Sequence, residues 1–222
     1  MAGRALVTAP TIEPVTVAEA KLFARIDVTA DDALVNDLIT AARKWCEQWR
    51  GRAMLTQTWN LFLDTFPHLD MGLFRDPAFT PIGAQYRGGY ASSYAWQQPP
   101  ILVPISPVAS VTSVIYTPFG GSPTTLDPTT YVVDLSNVYA PRLVPQFGQM
   151  WPTDLLVSAN GVQVQFVAGY GANPSDVPEQ LRLAVKQLVA FWYLNRDAAG
   201  TVPDAIQQML LQEGIGAAFA YA

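Results

Sequence analysis

Apolar residues recur at spacings of three and four in some stretches of the chain and alternate with polar ones in others. The change of period divides the sequence into elements. Between Thr29 and Gly51, Leu34, Leu38, Ala41, Trp45 and Trp49 form one stripe, which Val35, Ile39, Ala42 and Cys46 widen to the breadth of a packed face. The spacing predicts a helix capped by Thr29, with Asp31 and Asp32 opposing the positive end of its dipole and Gly51 ending it. Thr16 and Glu19 stand at capping-box spacing and predict a shorter helix from Val17 to about Arg25. A third helix is expected from about Pro178 to Asn195, striped by Leu181, Val185, Leu188 and Trp192, and a fourth from Asp204 to Gln212.

The period switches to two in "TQTWNLFLDTF", where Trp59, Leu61 and Leu63 oppose Thr58, Asn60 and Asp64. It returns in "SVTSVIYTP", in two short strands around the Asp-Pro turn of "TTLDPTTYVVDL", and in "GVQVQFVAG", where Val162, Val164 and Phe166 alternate with Gln163 and Gln165. Short strands at close spacing predict a small antiparallel sheet or sandwich. "RLVPQFGQMWP", punctuated by prolines, reads as a run across an edge. The expected class is α+β. Residues 66–100 hold neither period for long. A loop of that length in a compact domain is usually functional or mobile, and its aromatics, among them Phe79, Tyr86, Tyr90, Tyr94 and Trp96, favour a projection that orders against a neighbour.

Only 14% of the 222 residues are charged, where about 25% is usual, while half are hydrophobic. So little charge leaves apolar surface that points to a subunit of an assembly. A net charge of −5 with no Lys/Arg cluster argues against a dedicated nucleic-acid-binding face, yet is compatible with the wall of a channel through which nucleic acid slides. Cys46 alone makes no internal disulfide and reads as a buried thiol. With His68 as the sole histidine, neither a Cys/His zinc cluster nor a His-pair metalloenzyme is available, and no cofactor is expected. The N-terminal residues carry no signal-peptide core, and no window approaches the ~18–20 apolar residues of a spanning helix, so the expectation is a soluble protein made in a cytoplasm, without a membrane partner. Trp45 and Trp49 lack the accompanying basic residues of a base-stacking platform and are assigned to a core or subunit interface.

"FVAGYGANPSD" sits between a strand and a helix, where glycines often cradle phosphate. It has neither the Gly-x-x-x-x-Gly-Lys-Ser/Thr nor the Gly-x-Gly-x-x-Gly spacing, and no cation until Arg182. Gly169 and Gly171 are therefore structural, letting the chain leave the strand with φ > 0, with Asp176 as a cap and Pro178 in the first helical turn. Asp31, Asp32, Asp127, Asp134 and Asp154 show no spacing that forces two onto one face, and no nucleophile elbow accompanies His68. The expectation is a protein that is not an enzyme, with no catalytic, cofactor or metal residues.

"IEPVTVAEAKLFARID", "GRAMLTQTW", "SPVASVTSVIY", "LDPTTYVVDL" and "VQVQFVAGYGANPSDVPEQLRLAVKQLVAFWYLNRD" follow one another in an order that resembles the head–tail connector (adaptor) family of tailed bacteriophages and related prophages. The resemblance covers roughly residues 12 to 197. Its landmarks are Glu13-Pro14-Val15-Thr16, Gly51-Arg52 leading to Gln57-Thr58-Trp59, and Ala168-Gly169-Tyr170-Gly171. It implies a homo-oligomeric ring, commonly of twelve subunits, in the virion neck beneath the portal protein. Such a ring continues the double-stranded DNA channel and offers a surface to a tail-side stopper or terminator, and it is assembled in the host bacterial cytoplasm. It also implies N-terminal helices and a C-terminal long helix packed together around an inserted β domain.

The corresponding division is 1–54, 55–170 with the loop 66–100, 171–200, and 201–222. The uncharged tail "GIGAAFAYA" is expected to dock on the portal through Ile215, Phe219 and Tyr221. Residues 66–100 and the last twenty or so depart from the family pattern. The alternatives are a tail-completion or tail-tube protein and, more remotely, a hydrolase or carbohydrate-binding module.

Overall fold

The computed structural model describes residues 3–67, 98–196 and 201–218, the last helix with its side chains as far as residue 211. Among the described residues there are four α-helices: α1 (Val17–Ala24), α2 (Asp32–Arg50), α3 (Glu179–Leu194) and α4 (Asp204–Ala218). The capping box of α1 forms as predicted: the Glu19 amide donates to Thr16 Oγ1 at 3.2 Å, and the Thr16 amide donates to Glu19 Oε2 at 2.8 Å. Thr29 does not cap α2. It opens a 3-10 turn, Thr29–Asp31, that leads into the helix at Asp31 without a side-chain cap. Gly51 ends α2 in the left-handed region, at φ +61°. The helix α4 runs past the predicted end at Gln212 through Gly214 and Gly216 to Ala218.

Eight strands among the described residues make two antiparallel sheets. The larger has the order β1 (Gly3–Thr8), β2 (Gln57–Leu63), β8 (Val162–Ala168), β4 (Val108–Tyr116), β5 (Thr124–Thr125). The smaller has the order β3 (Ile101–Leu102), β7 (Arg142–Pro145), β6 (Tyr131–Asp134). The alternation read in "GVQVQFVAG" is that of the central strand β8, whose Val162, Val164 and Phe166 are buried. The "RLVP" stretch is not a run across an edge: it is the middle strand of the smaller sheet, with Leu143 fully buried and Pro145 at its paired end. The strand β1 carries no period-two signal, because all six of its residues are exposed and it is held in a ladder with β2.

Two cores follow from two layers, giving the α+β fold. One lies among the helices, around Val35, Ile39, Leu181, Val185, Leu188 and Leu210. The other lies between the sheets, around Leu61, Phe66, Val114, Trp151, Val164 and Phe166. In α2 the predicted stripe is displaced by one position. The buried face is Val35, Ile39, Ala42, Arg43 and Cys46, whereas Leu34, Ala41 and Trp49 are exposed and Leu38 and Trp45 only half-buried.

Candidate interaction surfaces

The three sequence landmarks converge where the helical layer meets the sheet. Arg43, buried on α2, donates from Nε to Glu13 Oε2 at 2.7 Å and from Nη1 to Glu47 Oε2 at 2.8 Å. Glu47 Oε1 in turn accepts from the Met54 amide at 2.9 Å and from Gln57 Nε2 at 2.6 Å. One guanidinium thus joins the segment before α1 to α2, and through Glu47 to the entry of β2. Burial holds the Glu47 carboxyl above its usual value, although Arg43 and these donors pull it down. Burial also works against the charge on Arg43, but the Glu13 hydrogen bond and the Glu47 charge raise its pKa overall. Arg182 of α3 donates to Pro14 O at 3.1 Å and to Glu19 Oε1 at 2.6 Å, tying the same segment to the third helix.

Gly169 has φ +134°, and a Cβ there would collide with the carbonyl carbon and oxygen of Leu55. The close approach lets the Gly169 amide donate to Pro107 O at 2.9 Å, Tyr170 N to Met54 O at 3.2 Å and Thr56 N to Gly171 O at 3.0 Å. Gly171 is needed for a different reason from the predicted positive φ: a Cβ would strike the Asp176 carboxylate, which accepts from the Asn173 amide at 2.9 Å. The Tyr170 hydroxyl accepts from Arg52 Nη1 at 3.3 Å, and the Arg52 guanidinium lies 4.4 Å from the Tyr139 ring centroid. The glycine turn is a weld between layers.

The displaced stripe of α2 is a surface. Leu34, Leu38, Trp45 and Trp192 line a groove of about 580 Å³ between α2 and α3, with Lys44 and Arg196 at its rim. Trp49, 48% exposed, stacks on Trp45 at 5.3 Å between centroids. Lys44 and Gln48 also border a second cleft of about 330 Å³, which β1 overhangs with Arg4 and Leu6. Trp59 faces that cleft from β2, and its Nε1 is buried without a hydrogen-bond partner among the described residues.

On the sheet layer, Phe119 (71% exposed), Phe147 (99%) and Leu155 (76%) project from turns. Sequence reading passed over them because single apolar residues in turns carry no period. Of the residues expected at contacts, Phe79, Tyr86, Tyr90, Tyr94 and Trp96 lie outside the described residues, as do His68, Phe219 and Tyr221; Ile215 is on α4 beyond its described side chains. The carboxylates considered for chemistry are scattered. Asp31 accepts from the Tyr193 hydroxyl at 2.5 Å, Asp32 from Lys21 at 2.6 Å, and Asp134 from Ser136 and Arg142. Among the described residues no group of His, Cys, Asp and Glu is placed to hold a metal ion, and no helix is long and apolar enough to cross a membrane.

No protein-family model and no curated protein matches the chain. Solved structures do. A chain in the virion of a native gene transfer agent particle superposes with a TM-score of 0.68 at 23% identity, over 94% of this chain and 93% of that one. A chain in the neck of an empty gene transfer agent particle, computed with C6 symmetry, gives 0.66 at 24% over 95% and 94%. A chain in the neck of the native particle, computed with C12 symmetry, gives 0.58 at 20% over 94% and 93%. The fold is shared along nearly the whole of each chain.

Proposed function

We propose that this chain is a structural subunit of the neck of a tailed-phage-like particle: a head–tail connector (adaptor) that forms a ring beneath the portal, continues the DNA channel and presents a surface to the tail. The observation that carries this reading is the end-to-end likeness to chains in gene transfer agent particles, two of them in necks and one of those necks computed with C12 symmetry. The order of the sequence landmarks supports it independently, and so does their convergence on one junction. Copies arranged about a cyclic axis bury flanks that a monomer leaves open, which suits a chain with 14% charged residues and exposed Leu22, Phe147 and Leu155. The role is one of shape and contact, without catalysis. Copy number is twelve, and the C-terminal segment with Ile215, Phe219 and Tyr221 is the portal-facing anchor.

The test is imaging of purified particles in which this subunit carries a density label. Label at the neck, repeated twelvefold, is the expected result; label along the tail or none in the particle overturns the reading. Deletion of residues 214–222 is expected to abolish attachment to the portal, and undiminished attachment removes the anchor assignment.

A further inference from the structure

The groove between α2 and α3 and the cleft beneath β1 share Lys44 and Gln48, and so form one trough along the outer face of α2. From Leu34 to Gln48 it runs about 21 Å along the helix. We propose that this trough is the seat of the neighbouring copy in the ring, filled by that copy's apolar corner around Phe119 and Leu155 and oriented by its Asp154. The proposal rests on the ring reading above.

Three observations select this occupant. The first is that the α2/α3 half of the trough is apolar where a finished surface is polar. Leu34 and Ala41 stand exposed in its lining along a helix whose opposite face already fills the core. Among the described residues nothing covers them.

The second is charge. The chain is acidic overall, at −5, yet Arg4 and Lys44 reach the trough with no ion-pair partner among the described residues, and Arg196 lies over the Tyr193 ring at its other end. Among the described residues of the lining the one carboxylate, Glu47, is committed to Arg43. Among the described residues Trp59 Nε1 adds a buried donor with no acceptor, a deficit that an incoming acceptor repairs. The occupant must therefore be apolar and carry a carboxylate. Residues 117–123 and 145–156 meet this description: their single charge is Asp154, which is exposed, and Phe119, Met150 and Leu155 are 71%, 59% and 76% exposed. The Phe119 amide donates to Leu155 O at 2.7 Å, which holds the two apolar side chains at neighbouring positions.

The third is symmetry. A twofold pairing of trough on trough would set Lys44 against Lys44 and leave the apolar corner bare. Trough and corner are different patches on different layers of one chain, so their contact repeats head to tail, as a cyclic ring requires.

The experiment uses the full chain with a photo-crosslinking benzophenone side chain in place of Ala41, an exposed residue on the floor of the trough. Illumination over a range of concentrations is followed by sizing and peptide mapping. Chain multiples are expected, with position 41 joined to residues 117–121 or 146–156 of another copy. The double reversal Arg4→Glu and Lys44→Glu should abolish most of the crosslinking, at least tenfold, and Asp154→Lys added to it should restore it. Circular dichroism confirms that these exposed substitutions leave the fold intact. Multiples that map elsewhere, or that survive the reversal unchanged, overturn the trough assignment while leaving the ring standing. A chain that yields no multiples at any concentration also overturns it, and imaging of the neck then decides the ring separately.

Discussion

Glu13 Oε2 lies 2.7 Å from Arg43 Nε, across thirty residues of sequence, and the same guanidinium reaches Glu47 on its own helix. Arg43→Ala leaves two carboxylates facing one another without a cation. A cost of about 3–5 kcal/mol is expected, the range for breaking a buried ion pair from one side. The pH dependence has a definite sign. Burial already holds the folded Glu47 pKa above its unfolded value of 4.5, and loss of Arg43 raises it further. Protonation then favours the folded state, so the deficit shrinks as pH falls towards 4.5 and is largest above the folded pKa. Urea unfolding at several pH values checks both the size and the slope.

Gly169→Ala is expected to cost more than Gly171→Ala. The first places a Cβ against the Leu55 backbone at a φ of +134°, where no side chain can yield; the second meets the Asp176 side chain, which can turn away at the loss of its hydrogen bond to Asn173. Losses of about 3 and about 1–2 kcal/mol follow from these mechanisms. Urea midpoints of the two variants measure the order, and equal midpoints would contradict it.

Asp134 accepts from the hydroxyl and amide of Ser136 and from Arg142, and its pKa is lowered to about 2 from an ordinary 3.8. A lowered pKa means stability that is present above 3.8 and is lost as pH falls through about 2. The gap in melting temperature between the wild type and Asp134→Asn should therefore be constant near neutrality and close progressively in acid. A gap that widens in acid would be inconsistent with this assignment.

Cys46 is 1% exposed, and burial pushes its thiol up to about 12. Thiolate is the nucleophile, so the native protein should resist a thiol-specific reagent at pH 8, while the urea-unfolded chain reacts fully. Titration of released chromophore in the two states gives the comparison.

Most elements were legible because their signals are local. Thr16 and Glu19 announce α1 by spacing alone, and Val162, Val164 and Phe166 announce β8 by alternation. The facing of α2 was not legible: Leu34–Trp49 and Val35–Cys46 are two adjacent apolar stripes, and periodicity cannot rank them. What ranks them is Arg43, whose pairing with Glu13 and Glu47 makes a charged position one of the buried ones and turns the other stripe outwards. The strand β1 escaped notice for the converse reason, since its register rests on β2's backbone and asks nothing of its side chains. The docking surfaces were legible only as a composition, too little charge for so much chain, because Phe119 and Leu155 become neighbours through a backbone hydrogen bond between segments 36 residues apart.

The weld at Gly169 has a mechanical meaning. Three main-chain hydrogen bonds cross there between the end of β8 and the residues flanking β2 and β4, and none of them depends on a side chain that can swing. A hinge needs a place where backbone angles change freely, and this one is clamped against Leu55. Load applied to the helices is passed on to the sheet as displacement of a single lever, not absorbed by bending between two halves.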